Sequence, residues 1–332
     1  MKPLPVLVLA GVAAAAGGYH VINKIPIGGE GGWDYLKLDE ANGRLYVSHA
    51  THVMVVDVDA GKVVGEISDT QGVHGIAIAP KLGRGFTSNG RTNNVTIFDL
   101  KTLKPLGRVD TGQNPDSILF DEVSGRVFTF NGRSKDATVF DAQSGRVEGT
   151  IPLGGKPEFS VSDGKGKIYV NIEDTHEMAE IDSRKAAVTK RYELTGCEDP
   201  SGLAMDVAHR RLFSACANKV MAVSDPDAGR VIATVPTGEG ADGAGFDPGR
   251  GYAFSSNGEG TLTVVGEKSG KYEVVENVKT QRGARTMTVD PKSHRVYLPT
   301  AEFAPVPAGG DQKARQRPAA LPNTFMVLVV GQ

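Results

Sequence analysis

Residues 114–151, NPDSILFDEVSGRVFTFNGRSKDATVFDAQSGRVEGTI, are the clearest copy of a unit that the rest of the chain repeats. Four short β-prone runs lie in it, at 117–121, 126–131, 137–141 and 146–151. Between them sit Ser-Gly and Asn/Gly/Asp clusters, the residues that make tight turns between antiparallel strands. A four-stranded meander of this size cannot bury both of its faces alone. It must stack against copies of itself.

Those copies recur at a spacing of roughly 40 to 44 residues, the range expected for propeller blades. The first run of each copy closes on Asp39, Ala79, Asp121, Asp163, Asp206, Asp247 and Asp290. The second run follows in GRLYVSH, GRGFTSN, GRVFTFN, GKIYVNI, RRLFSAC, GRGYAFSSN and HRVYLPT. The third reads VMVVD, VTIFD, ATVFD, MAEID, MAVSD, LTVVG and FMVLVV. Six units have a fourth run, and the seventh runs out of chain. Its missing strand is available at 19–25, YHVINKI, before the first unit begins. Donating that strand closes the ring and removes exposed edges. The expected fold is all-β, a closed seven-bladed β-propeller of four-stranded antiparallel blades. An open β-solenoid is the alternative, and it leaves 19–25 without a role.

The strand chemistry agrees. Inner runs carry small residues where copies crowd, such as Gly75, Ala77, Ala204, Ala244 and Gly245. Second runs carry bulky β-formers to fill the space between blades: Tyr46, Phe86, Phe128, Tyr169, Phe213 and Tyr252.

The bulk properties narrow the partners. A net charge of -2 in 332 residues gives no electrostatic footprint for nucleic acid. With 42 Gly and 6% aromatics, the composition suits short strands and turns. Lys2, the apolar run 4–12 and the small residues 13–18 form a signal-peptide pattern, too short to span a bilayer. Residues 1–18 are therefore expected to be removed on export to the periplasm or beyond. The mature domain, 19–332, is expected to be a monomer with no transmembrane segment. Residues 303–323, rich in Pro and Ala, read as a long loop inserted in the seventh blade. Its run of Lys313, Arg315 and Arg317 suits solubility.

At the second-strand positions Tyr46-Val47-Ser48-His49, Phe86-Thr87-Ser88-Asn89 and Phe128-Thr129-Phe130-Asn131, the chain resembles the bacterial YVTN-repeat propellers, the secreted YncE-like group. The resemblance covers all seven units. It implies an exported seven-bladed propeller and leaves the ligand open.

In a propeller, the loop entering each inner strand and the loop between the second and third strands share one face. The position five before each anchor is Asp34, His74, Asp116, Glu158, Ser201, Asp242 and Arg285, an expected ring at the channel mouth. Around it, at the ends of second strands, come His49, Asn89, Asn131, Glu173, Cys216, Asn257 and Glu302. Four converging carboxylates repel one another and raise one another's pKa unless a cation neutralises them. A divalent metal ion held by Asp34, His49, His74 and Glu158 is one candidate. Arg285 could instead clamp a carboxylate or phosphate. The competing reading is that these groups cap backbone and hold channel water. Trp33 is either a stacking platform or interblade packing. Cys197 and Cys216 meet on the fifth blade, as a disulfide in an exported protein or as soft metal ligands.

No phosphate loop, GxSxG elbow or HExxH occurs, and Gly28–Gly32 lacks the following helix of a dinucleotide site. The expectation is a non-enzymatic propeller that binds a small molecule or cell-envelope polymer across its axial mouth. A metal-assisted lyase or lactonase on the same face is the second reading. A scaffold docking a partner protein is the third.

Overall fold

The computed structural model describes residues 18–304 and 320–332; the expected signal peptide and most of the 303–323 loop fall outside them. Each of seven antiparallel sheets has four strands, and in six of them the strands follow chain order. The inner strands are Leu36–Asp39, Val73–Ala79, Pro115–Asp121, Pro157–Ser162, Pro200–Asp206, Ala241–Asp247 and Thr288–Asp290. Each inner strand contacts its neighbours around the ring, the seventh returning to the first. The chain is a closed seven-bladed β-propeller.

The seventh sheet is built from both ends of the described chain. His20–Pro26 pairs antiparallel with Met326–Gly331, matching His20 with Gly331 and Pro26 with Met326. This closure places the first strand as the sequence predicts. Just before it, Tyr19 is buried and meets Phe254 of the sixth blade edge-on at 5.5 Å.

The repeated Asp residues are turn builders. Asp121 accepts hydrogen bonds from the Ser124 amide and hydroxyl, and Asp141 accepts the same pair from Ser144. Such side-chain acceptors fold the chain back without help from a neighbouring strand. Between inner and second strands, Gly43, Gly125 and Gly251 adopt positive φ, and Arg210 and His294 take that conformation in the fifth and seventh blades.

Apolar faces meet between blades. Phe128, Phe130 and Val139 pack with Ile168, Val170 and Ile181, while Tyr46 and Val53 pack with Ile76 and Phe98. Fully burying one such aromatic stabilises the fold by about 1.5–3 kcal/mol. In the sixth blade the residue paired with Gly245 is Phe254, so Phe254 fills the interblade position; Tyr252 is only half-buried. Cys197 and Cys216 form a disulfide with Cα atoms 5.4 Å apart. Among the described residues, no helix is long and apolar enough to cross a membrane.

Candidate functional site: a charged cup at the axial mouth

The inner strands do not pair regularly where they begin. Their register with the second strand breaks between Val73 and Ile76, Pro115 and Ile118, Pro157 and Ser160, Pro200 and Leu203, and Ala241 and Gly243. His74, Asp116, Glu158, Ser201 and Asp242 all lie in these irregular intervals. A bulge interrupts the two-residue alternation and re-aims side chains, here toward the axis.

Hydrogen bonds within and between blades hold these segments in place. The Asp34 amide donates to Ser48 Oγ at 2.8 Å, and Thr286 Oγ1 donates to the Asp34 carbonyl at 2.6 Å. Gly75 N donates to Ser88 Oγ, which itself donates to the Asp116 carbonyl. Asn171 Nδ2 reaches the Ser201 carbonyl at 2.8 Å, and Ser201 Oγ the Ala241 carbonyl at 3.1 Å. Small hydroxyls and amides thus tie consecutive inner strands into one ring.

The ring encloses a cup of about 220 Å³. Five carboxylates line it (Asp34, Asp116, Glu158, Glu173 and Asp242), together with Lys156, Arg285, Tyr35 and Ser201. Much of the charge is matched within the chain. Arg285 is bonded to Asp242, lies 3.8 Å from Asp34, and donates to the Trp33 carbonyl at 3.1 Å. Lys156 is bonded to Glu173 and lies 2.6 Å from Glu158. His74 Nδ1 donates to Asp34 Oδ2 at 2.7 Å and is 3.7 Å from Asp116 Oδ1. Gly90 leaves room for this imidazole, since a Cβ there would sit 2.7 Å from Nε2.

The protonation states follow from burial and neighbours. Burial pulls the His74 pKa down, but the bond to Asp34 and the charge of Asp116 more than reverse this, raising it to about 8. Burial and then the charge of Asp34 push Asp116 up to about 6, against the pull of His74. Burial and then Asp116 push Glu158 up to about 8, against the pull of Lys156. The Tyr35 hydroxyl is held well above its ordinary value by burial and by Asp116, Asp34 and Glu158. Asp116 Oδ1 is buried and has no hydrogen-bond partner. Its nearest basic group is His74 Nδ1 at 3.7 Å.

The inner ring expected from the sequence is brought together: Asp34, Asp116, Glu158, Ser201, Asp242 and Arg285 line the cup, with His74 bonded at its wall. Glu173 of the outer set joins them through Lys156. The rest of the outer set is placed differently. Asn89, Asn131 and Asn257 are fully buried, and each Nδ2 donates twice within its own second-to-third hairpin. His49 is buried, stacks on Phe325 at 4.4 Å and lies 3.1 Å from His52 Nε2. Burial and His52 drop its pKa to about 4, so its ring is neutral. Trp33 stacks on Phe325 at 5.2 Å and meets Phe303 at 6.1 Å. Glu302 is exposed at the base of the inserted loop, where its amide donates to Thr324 Oγ1.

Among the described residues, the metal-competent group whose ligand atoms converge within 4.8 Å is Asp34, His74 and Asp116. It contains Asp116 where the sequence pattern suggested His49 and Glu158. Tyr35 and Lys156 also line the cup and were not singled out from sequence. The signal for Lys156 was its place two residues before Glu158. For Tyr35 there was none, because strand alternation would turn it away from Asp34.

No protein-family model and no curated protein matches the chain. Solved structures resemble it at low identity. Hydrazine synthase of Kuenenia stuttgartiensis is 14% identical over 81% of this chain and 92% of that one, with a TM-score of 0.70. The structure of U3-55K is 8% identical over 94% of this chain and 99% of that one, with a TM-score of 0.77. The RRP9 WD40 repeats are 7% identical over 94% of this chain and 98% of that one, with a TM-score of 0.77. At such identities the likeness is one of fold, and it agrees with the propeller architecture.

Proposed function

We propose that this is an exported, non-enzymatic propeller whose axial cup binds a small polar ligand through a cationic group such as a protonated amine. What supports this reading is a cup lined by five carboxyl groups, with Lys156, Arg285 and the wall-bonded His74 as the basic groups among them. An ammonium offers such a lining both hydrogen-bond donors and a positive charge. The mouth is concave and its donors and acceptors are held by interblade hydrogen bonds, as in a pre-formed binding site. The disulfide is compatible with export, and the YVTN-like second strands support an envelope setting.

A second reading, a divalent cation on Asp34, His74 and Asp116 serving a metal-assisted enzyme, is favoured by the convergence of their ligand atoms. Calorimetry with putrescine and ethanolamine, beside manganese, zinc and calcium salts, separates the two. Amine binding weakened on the order of tenfold by Asp116→Asn supports the first reading. A stoichiometric ion in purified protein, lost from an Asp34→Ala/His74→Ala variant, would establish the second. Binding of neither class would overturn the cup as a ligand site.

A further inference from the structure

Five blades open in one register: Val73 faces Asn89, Pro115 faces Asn131, Pro157 faces Ile172, Pro200 faces Cys216, and Ala241 faces Asn257. The residue after the second partner is Gly90, Gly132, Ala217 or Gly258 in four of them, but Glu173 in the fourth blade. The residue before the first partner is Gly72, Asn114, Asp199 or Gly240, but Lys156 in the fourth blade. The backbone frame is shared. The Glu173 amide donates to the Lys156 carbonyl at 2.8 Å, as Gly90 does to Gly72, Gly132 to Asn114 and Gly258 to Gly240. Of these five blades, the fourth alone sets a long acid and a long base over the cup, on a frame that forms without them.

The pair converges on Glu158. Lys156 Nζ is 2.6 Å from Glu158 Oε1 and is bonded to Glu173 Oε2. The Lys156 amide is pinned to Asp174 Oδ1 at 2.6 Å, but its side chain is 39% exposed. The other two bases of the cup are held more firmly. Arg285 is bonded to both Asp242 and the Trp33 carbonyl, and His74 sits between Asp34 and Asp116. A lysine stem swings its ammonium into water while the backbone stays fixed, and an ion pair with so exposed a partner is readily exchanged.

We infer that Lys156 is a tethered stand-in for the ligand's ammonium: the amine subsite is the corner formed by Glu158 and Glu173, and the ligand enters it by displacing Lys156 into solvent. This rests on the cup reading proposed above and names where in the cup the cationic group docks. Because one ammonium replaces another, the carboxyl groups of the corner need no change of protonation. The apparent affinity is then scaled by the fraction of molecules in which Lys156 has already vacated the corner.

Calorimetric titration of putrescine into wild type and Lys156→Met is the test. Removing the internal ammonium should tighten binding on the order of tenfold, the gain expected if Lys156 is out of the corner in about a tenth of molecules. Adding Glu173→Ala to Lys156→Met should cancel that gain. Lys135→Met removes an equal charge, one paired with Asp174 outside the cup lining, and should leave the affinity unchanged. Melting curves check that each variant is folded. Binding by wild type with equal or weaker binding by Lys156→Met would overturn this inference and leave the cup reading standing, as would equal tightening by Lys135→Met. Absence of putrescine binding by both wild type and Lys156→Met would overturn both.

Discussion

His74 Nδ1 sits 2.7 Å from Asp34 Oδ2, joining the entrance of the second blade to that of the first across the axial mouth. The same imidazole faces Asp116 of the third blade at 3.7 Å, so one side chain ties three blades together.

This pairing gives stability a defined pH dependence. The folded-state pKa of His74, about 8, exceeds the ordinary 6.5, so its contribution is full below about pH 6.5 and is lost as pH rises through 8. With the side chain 29% exposed, the gain is on the order of 1–2 kcal/mol. The difference in unfolding free energy between wild type and His74→Gln should shrink steadily between pH 6 and 9. A difference independent of pH would mean that the imidazolium does not form.

Asp116 is expected to trade stability for binding. Its carboxyl is raised to about 6 from the ordinary 3.8, so ionisation in the folded state costs stability as pH rises across that window. Asp116→Asn should therefore be more stable than wild type at pH 8, by up to about 3 kcal/mol, and similar at pH 3. Denaturant melts at the two pH values test this.

The two rings around the mouth should respond differently to mutation. Asn131 is buried, donating to Asp136 Oδ1 at 2.7 Å and Thr138 Oγ1 at 3.0 Å. Asn131→Ala should destabilise by about 1–3 kcal/mol while leaving putrescine affinity unchanged. Loss of affinity in a fully folded Asn131→Ala protein would instead assign that residue to the binding face.

The disulfide ties the loop ahead of the fifth inner strand to the second strand. Denatured, unreduced protein should show no reactive thiol. Reduction of a bridge spanning 19 residues should lower stability by roughly 3 kcal/mol, read as an earlier denaturant midpoint.

Closure by the N-terminal strand is the remaining test. Ile25 is buried with Phe325, Val327 and Val329, and Ile25→Ala should cost about 2–5 kcal/mol. Deleting residues 1–26 should leave Met326–Gly331 as an unpaired edge and promote self-association, visible by size-exclusion chromatography.

The blade count, the closing strand and the disulfide partners were legible in the sequence because they rest on local information. Turn residues recur at fixed spacing, β-formers alternate, and an unfinished seventh unit needs a strand. The inner ring at the mouth was legible for the same reason: a repeat places equivalent residues on one face. What lay beyond reach was which of those residues face open space. Asn131 and Asp116 hold equally suggestive positions in the repeat, yet Asn131 spends its amide within its own hairpin and lies outside the cup, while Asp116 lines it. The bulges that turn Asp116 and Glu158 inward are departures from alternation, so a pattern built on alternation cannot show them. Within six blades, strand pairing joins neighbours close in the chain. The charge balance of the axis depends on side chains from six blades, Asp34 of the first and Arg285 of the seventh among them, that meet only when the ring closes.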